Sequence, residues 1–255
     1  MSILPIAWLD EDDAFPPADE ALRGDSDAPG LLAAGGDLSI PRLRAAYGSG
    51  IFPWYSAGQP VLWWSPDPRM VLHVDELHVT RSLRKTLRRF IRTPGCEVRI
   101  DTAFGEVIRA CARTPREGQD GTWILPEMVA AYEAWHAKGE VHSFETWVQG
   151  RLVGGLYGVC LGRMFFGESM FSWQADASKI ALAALVAFCR QHGIGLIDCQ
   201  QRTSHLASLG AREIPRTRFL AQVRDAVRQA PVPRWHYDRS TWEQLGLAAD
   251  RPPAR

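Results

Sequence analysis

Two segments in the middle of the chain alternate apolar and polar residues, and they limit the possible folds more than any other feature. Their sequences are "VHSFETWVQG" and "RLVGGLYGVCLGRMFFGESMFS", and they meet at Gln149-Gly150. This dipeptide suits a tight turn, so the two segments predict paired antiparallel strands. The next segment, "DASKIALAALVAFCRQHG", predicts a largely apolar helix that is capped by Asp176 and ends at Gly193. It is followed by "GLIDCQ", which predicts a buried strand. Together they indicate an α/β (α+β) protein with a central, largely antiparallel mixed sheet.

The first 70 residues have a different character. Residues 1–30 are rich in Pro, Asp and Ala and predict a loosely structured acidic lead-in. A short helix is predicted in "LSIPRLRAAYGSG", with Ser39 as its N-cap. The next segment, "IFPWYSAGQPVLWWSPDPRMVLHV", combines three tryptophans with four prolines, which favours a turn and hairpin. We therefore predict a small N-terminal domain of residues 1–70 and a larger domain of residues 71–255.

The composition excludes several classes of protein. The chain is 46% hydrophobic and 23% charged, which is ordinary for a globular protein. It has no stretch of 18 or more apolar residues and no signal-peptide pattern at its N-terminus, so we expect a cytoplasmic protein without a membrane segment. The five cysteines have no CxxC spacing and no nearby histidine partner. We therefore predict neither disulfides nor a metal site, and no cofactor.

Six basic residues without an acid occur between positions 81 and 92. They are Arg81, Arg84, Lys85, Arg88, Arg89 and Arg92, and we call them the basic stripe. On a helix they fall within an arc of roughly 140°, because each residue turns the helix by about 100°. Leu83, Leu87 and Phe90 fall on the opposite side. Charge runs are often solvated helix faces. Here, however, like charges four residues apart repel each other, and the segment has no acidic residue to offset the repulsion. The stripe therefore predicts a surface that binds a polyanion.

Several long segments resemble one known family. They are "GLLAAGGDLSIPRLRAAYGSGIFPWYSAGQPVLWWSPDPRMVL", "GTWI", "FFGESMFSWQADASK", and "LIDCQ" followed by "HLASLGAREIPR". In this order they resemble the leucyl/phenylalanyl-tRNA-protein transferase family. The resemblance implies a small N-terminal domain on a larger acetyltransferase-like (GNAT-like) domain. It also implies transfer of leucine or phenylalanine, and less so methionine, from aminoacyl-tRNA to the α-amine of proteins that begin with Arg or Lys, which marks them for degradation.

Two other functions stay open at this point. One is a different acyl or aminoacyl transferase of the same fold, and the other is an RNA-binding protein without catalytic activity. Residues 190–195 match the R-x-x-G-x-G pattern with which related acetyltransferases bind the pyrophosphate of coenzyme A. That pattern requires the N-terminus of a helix, whereas these residues fall at a predicted helix C-terminus. We interpret the match as accidental.

Asp198 and Gln200 stand at the end of the predicted buried strand. In an extended strand they face one side, about 6 to 7 Å apart, while Cys199 faces the other. The resemblance matches both to catalytic positions, where Gln200 would accept a hydrogen bond from the attacking amine and Asp198 would draw off its charge. The plainer explanation is a capped strand end. Glu168 matches an acidic position near the amine, and it could bind the amine, bind the acceptor's basic side chain, or face solvent in a loop.

A leucine or phenylalanine side chain needs an apolar pocket. The resemblance assigns this pocket to Leu156, Phe165 and Leu182, with Met170 nearby. Trp54 and Trp123 match aromatic positions that would stack on the terminal adenosine of tRNA or close the pocket. Core packing is the plainer explanation for all of these side chains, and no role is predicted for residues after about Arg224.

Overall fold

The computed structural model describes residues 6–114 and 122–247 of the 255-residue chain. A small sheet forms from β1 (Ala7–Leu9), β2 (Leu31–Gly35), β3 (Phe52–Pro53) and β4 (Leu62–Trp64). Its strand order is β1-β2-β4-β3, with β3 and β4 antiparallel. The aromatic and proline-rich segment therefore does fold as a hairpin.

A larger sheet forms the centre of the molecule. Its strands are β5 (Arg69–His73), β6 (Cys96–Ile100), β7 (Val141–Val148), β8 (Arg151–Leu161), β9 (Met164–Ser172), β10 (Leu196–Gln200) and β11 (Arg212–Ile214). They lie in the order β11-β5-β10-β9-β8-β7-β6, and every neighbouring pair is antiparallel except β9 with β10. Gln149 and Gly150 form the turn between β7 and β8, both with positive φ. The prediction of a mixed α/β fold with a largely antiparallel sheet is confirmed.

Helices cover both faces of this sheet. They are α1 (Ile40–Gly48), α2 (Arg81–Arg92), α3 (Phe104–Arg113), α4 (Pro126–His136), α5 (Ala177–Gln191), α6 (Ser204–Ser208) and α7 (Arg216–Val227). One apolar cluster contains the buried side chains of α2 and α5, and a second contains those of α1, α3, α4 and α7. No helix within residues 6–114 or 122–247 is both long and apolar enough to cross a membrane.

The helix ends agree with the sequence prediction at one position and differ at another. The Ser39 hydroxyl caps α1 by accepting from the Arg42 N–H, as predicted. Asp176 stands at the N-cap of α5 but forms no capping bond with its side chain, because its backbone is left-handed with φ 63°. Its carboxylate instead accepts hydrogen bonds from Lys179 at 2.8 Å and Thr86 at 3.3 Å. Asp176 therefore joins α5 to α2.

The acidic lead-in is ordered from residue 6 onward, so the prediction of a loosely structured segment is wrong there. Strand β1 pairs in parallel with β2. The buried Arg42 guanidinium donates to the carbonyls of Asp10 and Asp13 at 2.8 and 3.1 Å. Arg42, which is distant in the chain, thus holds in place a segment whose own sequence has no periodic pattern. Residues 1–5 lie outside the described part of the chain. Strand β5 (Arg69–His73) crosses the predicted domain boundary at residue 70 and belongs to the larger sheet. The division into two domains at that residue stays a prediction.

Candidate active site

A cleft opens where the two parallel strands of the larger sheet separate. Leu196, Ile197 and Asp198 of β10 pair with residues 164–166 of β9. Beyond this point β9 continues to Ser172, whereas the register of β10 shifts between Asp198 and Gln200. The strands no longer fill the space between them, and a cleft of about 270 Å³ results.

One side of the cleft is apolar. Its lining includes Leu156, Met170, Leu182, Leu185 and Ile197, which we call the apolar wall. Three of these residues were expected there from the sequence. Phe165 was also expected but does not line the cleft. It is fully buried in the core and packs edge-on against Phe144, with ring centroids 6.3 Å apart. The reason is its position in the stretch of β9 that is still paired with β10.

Aromatic residues form the rim of the cleft. Trp54 and Trp123 both line it, as the sequence resemblance implied, and both are half-buried. Trp54 packs edge-on against Trp64 at 5.5 Å, and its carbonyl accepts a hydrogen bond from the Trp64 indole at 2.6 Å. Trp123 belongs to the "GTWI" segment, whose Gly121 lies outside the described residues.

The polar part of the cleft is centred on Glu168. Its Oε1 accepts hydrogen bonds from the Tyr47 hydroxyl at 2.7 Å and the Gln200 amide nitrogen at 2.8 Å. Its Oε2 lies 3.4 Å from the Tyr132 hydroxyl, which also makes a close contact with the Tyr47 hydroxyl. Glu168 therefore lies in the cleft as a hydrogen-bonded side chain rather than in a solvent-facing loop.

Burial raises the pKa of Glu168 from 4.5 to about 8. The hydrogen bond from Tyr47 opposes this increase, and the negative charge of Asp198 adds to it. The carboxyl can therefore both hold and release a proton near neutral pH, which is the property of a general acid or base.

Asp198 lines the cleft, but its carboxylate is paired with a residue of the core. Its side chain is fully buried, and its two oxygens accept hydrogen bonds from Nε and Nη2 of Arg69 at 2.8 and 2.6 Å. Asp198 Oδ1 also accepts from the Gln200 N–H at 2.9 Å. The backbone of Gln200 is left-handed, with φ 60°. The regular alternation assumed from the sequence is therefore interrupted, and Asp198 supports Gln200 instead of standing beside it.

Sequence reasoning missed Leu185 and Ile197 of the apolar wall, and it missed three buried polar residues that contact Glu168 or Asp198. Arg69 is fully buried between the rings of Phe52 and Phe219, with its guanidinium carbon 4.7 and 4.5 Å from their centroids. Tyr47 and Tyr132 are also fully buried. Each occurs in a segment with an ordinary helical or strand pattern, so no local signal distinguishes them from core residues.

The basic stripe lies on α2 as predicted. Leu83, Leu87 and Phe90 are buried, whereas the six basic residues are exposed apart from Arg84, which is half-exposed. A chain of contacts runs from α2 toward the cleft, because Thr86 and Lys179 both bind Asp176. His205 lines the cleft, and its pKa is lowered by burial and by the nearby Lys179. Helix α5 is thus bound to α2 through Asp176, and Lys179 on the same helix acts electrostatically on His205 at the cleft.

The R-x-x-G-x-G segment has a structural role. Arg190 donates to the carbonyl of Val74 at 3.0 and 2.6 Å and to that of Gln244 at 2.9 Å. Gly193 has φ 70° and follows the end of α5, where a left-handed residue is common. These residues close a helix and do not form a phosphate site.

The fold and the cleft together define a mixed α/β protein with a ligand-binding cleft, apolar on one side and carrying a shielded carboxyl on the other. Comparison with known proteins then shows the family to which the chain belongs. The chain belongs to the leucyl/phenylalanyl-tRNA protein transferase family, which it matches over residues 71–224, with the N-terminal domain of that family matched over residues 36–67. The chain is therefore an aminoacyltransferase, and the family expected from the sequence is confirmed.

Similar proteins cover nearly the whole chain. A leucyl/phenylalanyl-tRNA--protein transferase of Methylibium petroleiphilum is 66% identical over 97% of this chain and 94% of its own length. One from Leptothrix cholodnii is 63% identical and covers 98% of each chain. Among solved structures, a GCN5-related N-acetyltransferase from Kribbella flavida is 10% identical, with a TM-score of 0.30, over 66% of this chain and 58% of that one. A similarity at that level carries no functional information.

Proposed function

We propose that the chain transfers leucine or phenylalanine, and less readily methionine, from aminoacyl-tRNA to the α-amine of proteins that begin with Arg or Lys. Such transfer would mark the acceptor for degradation, and we expect it in the cytoplasm. The observation that carries this proposal is one cleft lined both by the apolar wall and by the hydrogen-bonded pair of Glu168 and Gln200.

The apolar wall supports an aliphatic or aromatic aminoacyl side chain. Burying such a side chain contributes about 1.5 to 3 kcal/mol, which favours Leu or Phe over polar residues. Trp54 and Trp123 at the rim would stack on the terminal adenosine that carries the amino acid. The ester carbonyl would then lie between the apolar wall and Glu168.

Glu168 and Gln200 support the attack of the amine. Gln200 donates from its amide nitrogen to Glu168, which leaves the amide oxygen to accept a hydrogen bond from the amine. As the amine attacks, the Glu168 carboxylate would take its proton. The pKa of Glu168, about 8, lies close to the value of about 7.7 to 8.0 for an α-amine. Proton transfer between them would therefore cost little free energy.

Asp198 and the basic stripe would act around this centre. Arg69 is paired with Asp198. We propose that Asp198 accepts the hydrogen bond from the backbone N–H of Gln200, holds that residue in place, and stabilises the positive charge that develops on the attacking amine. The stripe would bind phosphates of the tRNA, because the described residues provide no carboxylate within ion-pair distance of Arg81, Arg84, Lys85, Arg88 or Arg89.

Transfer of radiolabelled leucine tests this proposal directly. The protein is incubated with Leu-tRNA and a peptide that begins with Arg, and label in the peptide is counted. The same peptide with an acetylated N-terminus should receive no label, because it has no free α-amine. Absence of label in the Arg peptide with a folded protein would contradict the proposal. Acyl transfer from coenzyme A alone would instead indicate the related acyltransferase, and RNA binding indifferent to aminoacylation would indicate a non-catalytic protein.

A further inference from the structure

Two buried tyrosines contact Glu168 from helices on the same side of the larger sheet. Tyr47 is on α1 and Tyr132 is on α4, and neither has any exposed surface. The ring of Tyr47 packs against Phe166 and Trp135, with centroid distances of 5.3 and 5.6 Å. These contacts fix the rings, so the two hydroxyls have little freedom to choose other partners.

The hydrogen bonds of these hydroxyls have one consistent direction. Tyr47 donates to Glu168 Oε1 at 2.7 Å. A hydroxyl carries a single hydrogen, so Tyr132 can donate either to Tyr47 or to Glu168 Oε2, which lies 3.4 Å away. Because 3.4 Å is long for an O–H···O bond, we assign this hydrogen to the much closer Tyr47 hydroxyl. The chain of donors therefore runs from Tyr132 to Tyr47 to Glu168. Donors in series polarise one another, which strengthens the last bond.

We propose that Tyr132 and Tyr47 are positioning residues, a hydroxyl relay that holds the Glu168 carboxyl in place to exchange a proton with the acceptor's α-amine. This inference rests on the proposed function. In the reaction the amine nitrogen forms a C–N bond to the aminoacyl carbonyl carbon, and the C–O bond to the tRNA ribose breaks. The amine proton passes to Glu168, and Glu168 returns it to the departing ribose oxygen. The carboxyl is thus unchanged after one turnover.

The other groups around Glu168 do not replace the relay. Gln200 donates to the same Oε1, the negative charge of Asp198 disfavours ionisation, and the positive charge of Arg69 favours it. Tyr47 contributes the strongest effect that favours the carboxylate. Removing its hydroxyl should therefore make Glu168 harder to ionise.

The test compares Tyr47→Phe and Tyr132→Phe with Tyr237→Phe. Tyr237 is a matched control, because it is also buried but its hydroxyl has no hydrogen-bond partner within the described residues. Single-turnover leucine transfer is measured from about pH 6 to 9. An NMR titration of the Glu168 carboxyl carbon, assigned by its loss in Glu168→Gln, follows the proton without depending on activity.

Tyr47→Phe should move the midpoint of the pH profile of transfer and the midpoint of the NMR titration to higher pH, each by about one unit. The reason is that a hydrogen bond to the carboxylate favours the ionised form by roughly tenfold. Tyr132→Phe should cause a smaller shift in the same direction, and Tyr237→Phe should cause none. A wild-type chain that transfers leucine together with an unshifted Tyr47→Phe titration would overturn the relay alone. A wild-type chain that transfers nothing would instead overturn the proposed function.

Discussion

Gln200 shows how one backbone angle can decide what a side chain does. Its φ of 60° is uncommon for a residue other than glycine, and such a conformation costs about 1 to 2 kcal/mol. The bond from its N–H to Asp198 Oδ1 offsets part of this cost. The result is an amide directed at Glu168 rather than along the strand.

Gln200→Ala should slow transfer while tRNA binding is unchanged. The variant keeps the backbone N–H to Asp198 but loses the amide that orients the amine. We expect single-turnover transfer to fall by about 10- to 100-fold, which is about 1.4 to 2.7 kcal/mol of transition-state stabilisation. Gln229→Ala, at an exposed position that does not line the cleft, serves as the control. A Gln200→Ala protein with lower Tm but normal transfer would show that the side chain is only structural.

Glu168 should also make stability depend on pH. Its pKa is about 8 in the folded chain and near 4.5 when unfolded, so the folded chain binds this proton more tightly. The contribution of Glu168 to stability therefore falls as pH rises through that window. Glu168→Gln removes the ionisation, so the Tm of the variant relative to wild type should increase between about pH 5 and pH 8.5. A difference in Tm that stays constant with pH would contradict this.

At the scale of elements, α2 and α7 are two exposed helices on opposite faces of the larger sheet. The buried side chains of α2 belong to the cluster that contains α5, and those of α7 belong to the other cluster. The basic stripe lies on α2, which is joined to α5 through Asp176, whereas α7 carries Arg224 in its last turn and Arg228 at its C-cap. The effect of reversing two charges on α2 can therefore be compared with the effect of reversing two charges at the end of α7.

Reversing charge on α2 should weaken tRNA binding through salt-dependent contacts. In Arg84→Glu/Arg88→Glu, each lost phosphate contact should reduce the salt slope by roughly 0.7 to 0.9. The control is Arg224→Glu/Arg228→Glu, in the last turn of α7 and at its C-cap, which has the same spacing and exposed side chains. Titration of labelled tRNA at several salt concentrations measures both. Equal effects of the two double variants would mean that net charge, and not the basic stripe, determines binding.

At the scale of the whole molecule, Arg69 connects three distant parts of the chain. Its guanidinium binds Asp198 on β10 and the carbonyl of Gly50 at 3.2 Å, and it packs on Phe219 of α7. The first 50 residues, the strand of the cleft and the C-terminal helix therefore meet at one buried cation. Such a pair holds its partners in a single arrangement, because neither charge can be left alone in the core.

Breaking this pair from either side should strongly destabilise the protein. Arg69→Met leaves a buried carboxylate and Asp198→Asn leaves a buried guanidinium, so each should cost about 3 to 5 kcal/mol. The double variant should lose less than the sum, because it leaves no unpaired charge. Urea unfolding measures all three. Arg212→Met, which breaks an exposed pair with Glu76, should cost much less. Additive losses in the double variant would contradict the coupling.

Patterns within a segment predicted most of the elements correctly. The helix around Leu83 and Leu87, the β7–β8 turn and the strand before Asp198 all follow from a period of two or of 3.6 residues. Such patterns report which side of an element is buried, and they do so without knowledge of the partner. They failed where the partner decides, as for the lead-in held by Arg42. The resemblance likewise placed Phe165 in the pocket, whereas its burial depends on where two strands part.

The sequence by itself determined most of the elements, the family, the exposed basic stripe and several of the residues that line the cleft. Only the tertiary structure decided how the polar groups pair, because their partners are far apart in the chain. Arg69 and Asp198 are 129 positions apart, and Tyr47 and Glu168 are 121 apart. A buried polar atom must find a partner wherever the fold supplies one, and no local pattern records which residue that is.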